Sequence, residues 1–187
     1  MKGQLSGTLQ TIRISHMIVQ KTQLEGVLQI QLDTFEDHRG WYVETYNEQK
    51  YHEAGIDIKF VEDDISVTRK NCLKGVHGDQ DTWKLISCIH GSFYLAVVNN
   101  EPTHTQFRQS QGFTLSDRNN IQILVPPKFG NGHVALTETS VFQYKQSSYY
   151  NPKGQFTIIW NDPEYNIWWP TKSPTLSRRD QTGEFVT

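Results

Sequence analysis

The segment Leu73-Lys74-Gly75-Val76-His77-Gly78-Asp79, followed by Trp83-Lys84-Leu85, holds the residues whose types and spacing point most directly to chemistry. His77 comes just past the strand-like run Ile65-Ser66-Val67-Thr68, and Lys84 heads an otherwise apolar run ending at Ile89. A base that faces a fixed cation is the minimum equipment for taking a proton from beside a carbonyl and holding the resulting enolate. Gly75 and Gly78 leave room for a ligand to approach the backbone. The plainer reading of His77 is a hydrogen-bonded histidine at a strand end.

Three further constellations bear on that reading. In Val125-Pro126-Pro127-Lys128-Phe129-Gly130-Asn131-Gly132-His133, two prolines end a strand, and His133 opens the next one after a glycine-flanked turn. A metal ligand is conceivable there. The first segment, however, gives His77-Gly78-Asp79 rather than two histidines one residue apart, and no well-placed glutamate follows, so no metal is expected. In Phe142-Gln143-Tyr144-Lys145, alternation puts Phe142 and Tyr144 on one face, which can turn the Tyr144 phenol inward. In Leu176-Ser177-Arg178-Arg179-Asp180, the charges read as ordinary surface or as a carboxylate that docks on a histidine and sets its tautomer.

These side chains must be positioned by strands. Alternating or short apolar runs cover 26–32, 41–46, 65–69, 83–89, 93–99, 111–115, 121–125, 133–136, 140–146 and 155–160, broken by turn-forming residues at 99–102, 116–120 and 151–154. Only 47–54 reads as helix, ended by Gly55. Roughly ten short strands without βαβ alternation predict an all-β jelly roll, a sandwich or barrel of antiparallel strands. A length of 187 residues fits one domain. A formal charge of −2 gives no electrostatic case for nucleic acid or an anionic membrane. The sequence has no long apolar span and no signal-peptide core, so a cytoplasmic protein with reduced Cys72 and Cys88 is expected. Ser15-His16-Met17 reads as a junction with a leader. Residues 1–16 are therefore expected to be a non-native leader or N-terminal arm, and 17–187 a single domain. The 22 aromatic residues crowd towards the C-terminal third, as in a core or subunit interface.

The segments, in this order, resemble the dTDP-4-dehydrorhamnose 3,5-epimerases, which are RmlC-like cupins. The likeness runs from Thr34 to Asp180. It rests on Phe35-Glu36-Asp37-His38-Arg39-Gly40 with Glu44, Leu73 to His77, Lys84-Leu85, Pro126 to Leu136, Tyr144-Lys145, Tyr149-Tyr150, Trp160-Asn161-Asp162, Trp169-Pro170 and Leu176 to Asp180. The resemblance implies a cofactor-independent, metal-free homodimer acting on a nucleotide-linked 4-keto-6-deoxy sugar. It makes His77 the general base oriented by Asp180, Lys84 the enolate-stabilising cation and Tyr144 the acid on the opposite face. Arg39, Glu44 and Lys74 fall at sugar- and phosphate-contacting positions, Phe35 and Tyr150 at positions that stack near the base, and Gln155 and Arg179 at further ligand contacts.

The departures from that pattern concentrate around the ligand. His77-Gly78-Asp79 replaces His-aromatic-Gln, and the loop before Lys84 is shortened. Lys74 is a point charge where an arginine fork is usual. Asn131 replaces a second histidine, while His133, further along, need not point inward. Glu62-Asp63-Asp64 is more acidic than the usual Gln-Asp-Asn. The expectation is retained epimerase chemistry on a shifted substrate, with GDP-linked 6-deoxy-4-keto-heptose as one candidate and space vacated at Gly78 for its longer tail. A sugar 3,4-ketoisomerase on the same fold and a non-catalytic nucleotide-sugar-binding cupin are the competing readings.

Overall fold

A computed structural model describes residues 11–14 and 17–183. Of the expected leader, only Thr11–Ile14 falls within the described residues, as strand β1, which pairs antiparallel with β2, Met17–Lys21. The remaining strands are β3 (Leu28–Leu32), β4 (Thr34–Asp37), β5 (Gly40–Val43), β6 (Glu62–Arg69), β7 (Leu73–Gly78), β8 (Lys84–His90) and β9 (Ser92–Asn99). After them come β10 (Ser110–Ser116), β11 (Ile121–Val125), β12 (Phe129–Ala135), β13 (Thr139–Gln146) and β14 (Phe156–Thr157). Helix α1 spans Glu48–Glu53, and α2 spans Arg178–Thr182.

Two antiparallel sheets face each other, as expected for the jelly roll. Seven strands run in the order β1-β2-β3-β11-β8-β13-β6, and five run β10-β9-β12-β7-β14. Between them lie Ile86 and Cys88 of β8, Phe93, Leu95 and Val97 of β9, Leu115 of β10, Ile123 of β11 and Phe142 of β13. Each sheet is also covered on its outer side. Tyr51, Ala54 and Ile56 pack with Leu85 and Leu124 outside the larger sheet, and Ile158 and Trp169 pack with Val76, Ala96 and Val134 outside the smaller one. Burial on both faces explains why β8 and β9 read as continuous apolar runs rather than alternating ones.

The helix expected over 47–54 is present and capped by Asn47, whose side chain accepts from the Lys50 amide. A second helix, α2, was not expected. Its Ser177 cap accepts from the Asp180 amide, and it ends at Gly183 with φ 76°. Five residues are too few for the hydrophobic period to show. Strand β12 begins at Phe129, not at His133, so the apparent glycine turn is itself strand. The glycines are there because a Cβ on Gly130 would lie 2.7 Å from Val76, and one on Gly132 would lie 3.1 Å from it.

Candidate active site

A cavity of about 550 Å³ opens between the two sheets, within the size range of small-molecule sites. Both sheets contribute polar groups to it. Lys74 and His77 come from β7 and Asn131 and His133 from β12, all in the smaller sheet, while Glu62, Asp64, Lys84 and Tyr144 come from β6, β8 and β13 of the larger one.

Plain alternation places residues i and i+2 of a strand on one face, whereas Lys74 and His77 are three apart. The register between β7 and β12 shifts between the Asn131–His77 and His133–Lys74 pairs, and Gly75 takes φ 115°. That irregularity sends Leu73 and Val76 into the outer core and leaves both polar side chains on the cavity side. A Cβ on Gly75 would lie 2.5 Å from Gly132 Cα, so this close approach of backbones requires glycine.

His77 Nε2 lies 2.8 Å from Asp180 Oδ1, at an angle outside that of a well-aligned ring N–H hydrogen bond. The carboxylate is 2% exposed overall and held from three sides. Ser177 Oγ donates to Oδ2 at 2.7 Å and the Gly75 amide to Oδ1 at 3.3 Å. Burial pushes the Asp180 carboxyl up, but the contacts with His77, Ser177 and Gly75 together pull it below the ordinary aspartate value. Asp180 thus stays a carboxylate, suited to orient an imidazole and to stabilise its protonated form.

Lys84 shares a face with Ile86 and Cys88, which places its ammonium at the cavity end of the core. It is 9% exposed, and burial lowers its pKa against the partial support of Asp79. Asp79 also closes the shortened loop, accepting from the amides of Asp81 at 3.1 Å and Thr82 at 2.7 Å. Tyr144, on the neighbouring strand β13 of the same sheet, has its phenol pushed up to about 12 by burial, then by Asp64, Glu62 and Tyr150.

Asn131, Tyr150, Gln155 and Arg179 also line the cavity. Asn131 Oδ1 is buried and has no hydrogen-bond partner among the described residues. Arg179 donates from Nε to Thr157 Oγ1 at 3.0 Å, and Lys74 from Nζ to Ser66 Oγ at 2.7 Å and the Val67 carbonyl at 3.0 Å.

Three expected ligand contacts are not brought to this cavity within one chain. Phe35 and Glu44 border a separate hollow of about 200 Å³, and Arg39 pairs with Asp37 on the β4–β5 hairpin, a two-stranded unit apart from both large sheets. Gly78 also corrects an expectation. A Cβ there would sit 2.4 Å from both the Phe129 carbonyl oxygen and the Phe156 ring, so the missing aromatic leaves a filled place rather than room for a ligand.

His133, whose direction the sequence left open, points inward because Phe129, Asn131, His133 and Ala135 share one face of β12. It stacks on Phe142 at 4.3 Å between centroids, and its Nε2 lies 3.1 Å from Thr68 Oγ1. Burial, with Lys74 and His77 adding to it and Asp180 opposing, pushes its pKa down to about 3. It is a neutral wall, not a second base. Glu62 and Asp64, part of the acidic departure noted around the ligand, line the cavity, and Gln146, which was not expected there, joins them.

Comparison with known proteins finds relatives that cover most of the chain. The family model described as dTDP-4-dehydrorhamnose 3,5-epimerase matches residues 21–187. The dTDP-4-dehydrorhamnose 3,5-epimerase of Salmonella typhimurium is 37% identical over 169 residues, covering 88% of this chain and 92% of the relative. The solved epimerase of Elizabethkingia anophelis superposes with a TM-score of 0.83 at 34% identity, covering 90% and 95% of the two chains. The Legionella pneumophila enzyme, solved in complex with dTDP-4-keto-L-rhamnose, gives 0.84 at 32% identity, covering 88% and 90%.

Proposed function

The chain belongs to the dTDP-4-dehydrorhamnose 3,5-epimerase family of isomerases, and from that premise we propose that it epimerises a nucleotide-linked 4-keto-6-deoxy sugar with His77 as base and Tyr144 as acid. The observation that carries this reading is the placement of the His77–Asp180 pair and Tyr144 on different sheets around one cavity. The C4 ketone acidifies the protons on C3 and C5. His77 takes one of them, the C–H electron pair enters the new C=C bond, and the C4 oxygen becomes an enolate beside the Lys84 ammonium. Tyr144 then breaks its O–H bond to form a C–H bond on the other face, which inverts the carbon.

A change of substrate is the finer part of the proposal. The uncharged Asn131, with its unpartnered Oδ1, and the carboxylates of Glu62 and Asp64 make a different polar wall from the expected one. They favour a ligand richer in hydrogen-bond donors, and a GDP-linked 6-deoxy-4-keto-heptose is the candidate to set against a dTDP-linked hexose. Lys74 and Arg179 are the groups for the diphosphate, and Tyr150 is a surface for stacking. The homodimer is part of the same reading. It is supported by the exposed outer face of β6, where Ile65 and Val67 are 67% and 59% exposed, and by a hairpin that keeps Phe35 and Arg39 outside their own chain's cavity.

The deciding experiment follows deuterium uptake from heavy water, resolved by sugar carbon, on GDP- and dTDP-linked 4-keto sugars. Uptake at C3 or C5 with inversion is the expected result. Binding without uptake would identify a non-catalytic binding protein, and movement of the carbonyl to C3 a ketoisomerase. Faster turnover of the dTDP-linked hexose than of any GDP-linked heptose would overturn the substrate shift alone.

A further inference from the structure

Two carboxylates face the cavity that the proposed reaction does not use. On β6, Glu62, Asp64 and Ser66 line the cavity, while Ile65 and Val67 between and beyond them are turned outward. In the β6–β13 ladder Asp64 lies directly opposite Tyr144, and Glu62 opposite Gln146. Residues paired this way have their Cβ atoms about 5 Å apart.

The pair is fixed rather than free to swing away. Gln146, 2% exposed, gives the same amide nitrogen to Glu62 Oε1 at 2.6 Å and to Asp64 Oδ2 at 3.2 Å. Glu62 Oε2 accepts from the Tyr150 amide at 3.0 Å. Other charged or titratable groups reach the cavity from β7 (Lys74, His77), from β8 (Lys84), from β12 (His133), from α2 (Arg179, Asp180) and from the Tyr150 phenol. The Lys74 ammonium is bound by Ser66 and Val67, and Arg179 by Thr157 and Gln155. Burial is the largest influence that favours the protonated Tyr144 phenol, and Asp64 and Glu62 add to it in that order.

We propose that Glu62 and Asp64 are positioning residues that hold Tyr144 in its protonated form, so that it enters the reaction as the proton donor and never as a competing base. This rests on Tyr144 being the acid of the reaction. Giving up the phenol proton places a third negative charge beside two held carboxylates. The phenolate is therefore reached only when its proton passes to the substrate carbon, and the cycle closes when the His77 imidazolium gives its proton to solvent and the phenolate takes one from solvent.

The test is an ultraviolet titration of phenolate in Asp64→Asn and in the Glu62→Gln/Asp64→Asn double variant, each read against the same protein carrying Tyr144→Phe. The expected result is ionisation of Tyr144 at a pH lower by about one unit or more in the double variant, with Asp64→Glu behaving as wild type. On a 4-keto sugar that the wild type turns over, inversion relative to proton exchange should fall about tenfold as the pH is raised through that ionisation. An unmoved ionisation in a folded variant overturns the proposal, as does an equal, pH-independent loss of exchange and inversion. If the double variant does not fold, Glu62→Gln alone carries the same titration. Tyr144→Phe separates the two layers: inversion at wild-type rate would remove Tyr144 as the acid, whereas lost inversion with an unmoved titration would remove only the role of the carboxylates.

Discussion

His77 and Tyr144 face the same cavity from different sheets, and the two are held in different ways. His77 relies on distant sequence, since its carboxylate partner sits on α2 and is fixed in turn by Ser177 and by the Gly75 amide. Tyr144 is placed by its own ladder, in register with Asp64 on one neighbour and Ile86 on the other. On the proposed roles, the base side is suited to a positive charge, with a buried carboxylate behind the imidazole, and the acid side disfavours a negative one. One cavity thus holds an imidazole backed by a carboxylate and a phenol kept protonated by burial and by neighbouring carboxylates, the two groups that the proposed reaction needs.

Three substitutions break or sharpen that contrast. His77→Asn should have the largest effect, removing deuterium exchange from a 4-keto sugar by on the order of 10³-fold while leaving ligand affinity nearly unchanged. Exchange at the wild-type rate would take the base assignment away. Tyr144→Phe should be smaller and selective, with inversion falling about 10²-fold while proton removal persists. Equal loss of both would end the division of labour between the walls.

The third concerns stability. His133 stays neutral in the folded protein down to about pH 3, while in the unfolded chain it takes up a proton near its ordinary value of 6.5. Between those values the unfolded state binds more protons, so the stability it confers is complete above about pH 6.5 and is lost as the pH falls, by up to roughly 1.4 kcal/mol per unit. Denaturant unfolding across that range should show the slope, and His133→Phe should flatten it. An identical slope in the variant would mean that other groups account for it.

The jelly roll and most of the cavity were legible in the sequence, because period-2 runs and turn residues report directly on strands. Lys84 stood out as a charge heading an apolar run, and Tyr144 as the inward partner of Phe142. The start of β12 was not legible, although Asn131 was picked out as a ligand-side residue. Gly130 and Gly132 look like a turn when they are in fact small residues under Val76. The inward position of His133 was lost with that misreading. Gly78 misled in the opposite sense, since nothing local in the sequence reveals that Phe156 of β14 fills the space beside it. The placement of Phe35, Arg39 and Glu44 is a matter of tertiary arrangement, which spacing along the chain does not encode.

The carboxylate that orients His77 has a consequence in time as well as in space. Asp180 is separated by 105 positions from Gly75, whose amide it accepts from. During synthesis, the strands that carry His77 emerge and can pair long before α2 exists. Until that late helix docks, the growing chain presents an imidazole without its counter-charge, surrounded by unfinished walls. On the proposed reading, a chain truncated before α2 would keep the imidazole but lose the carboxylate that pairs with it.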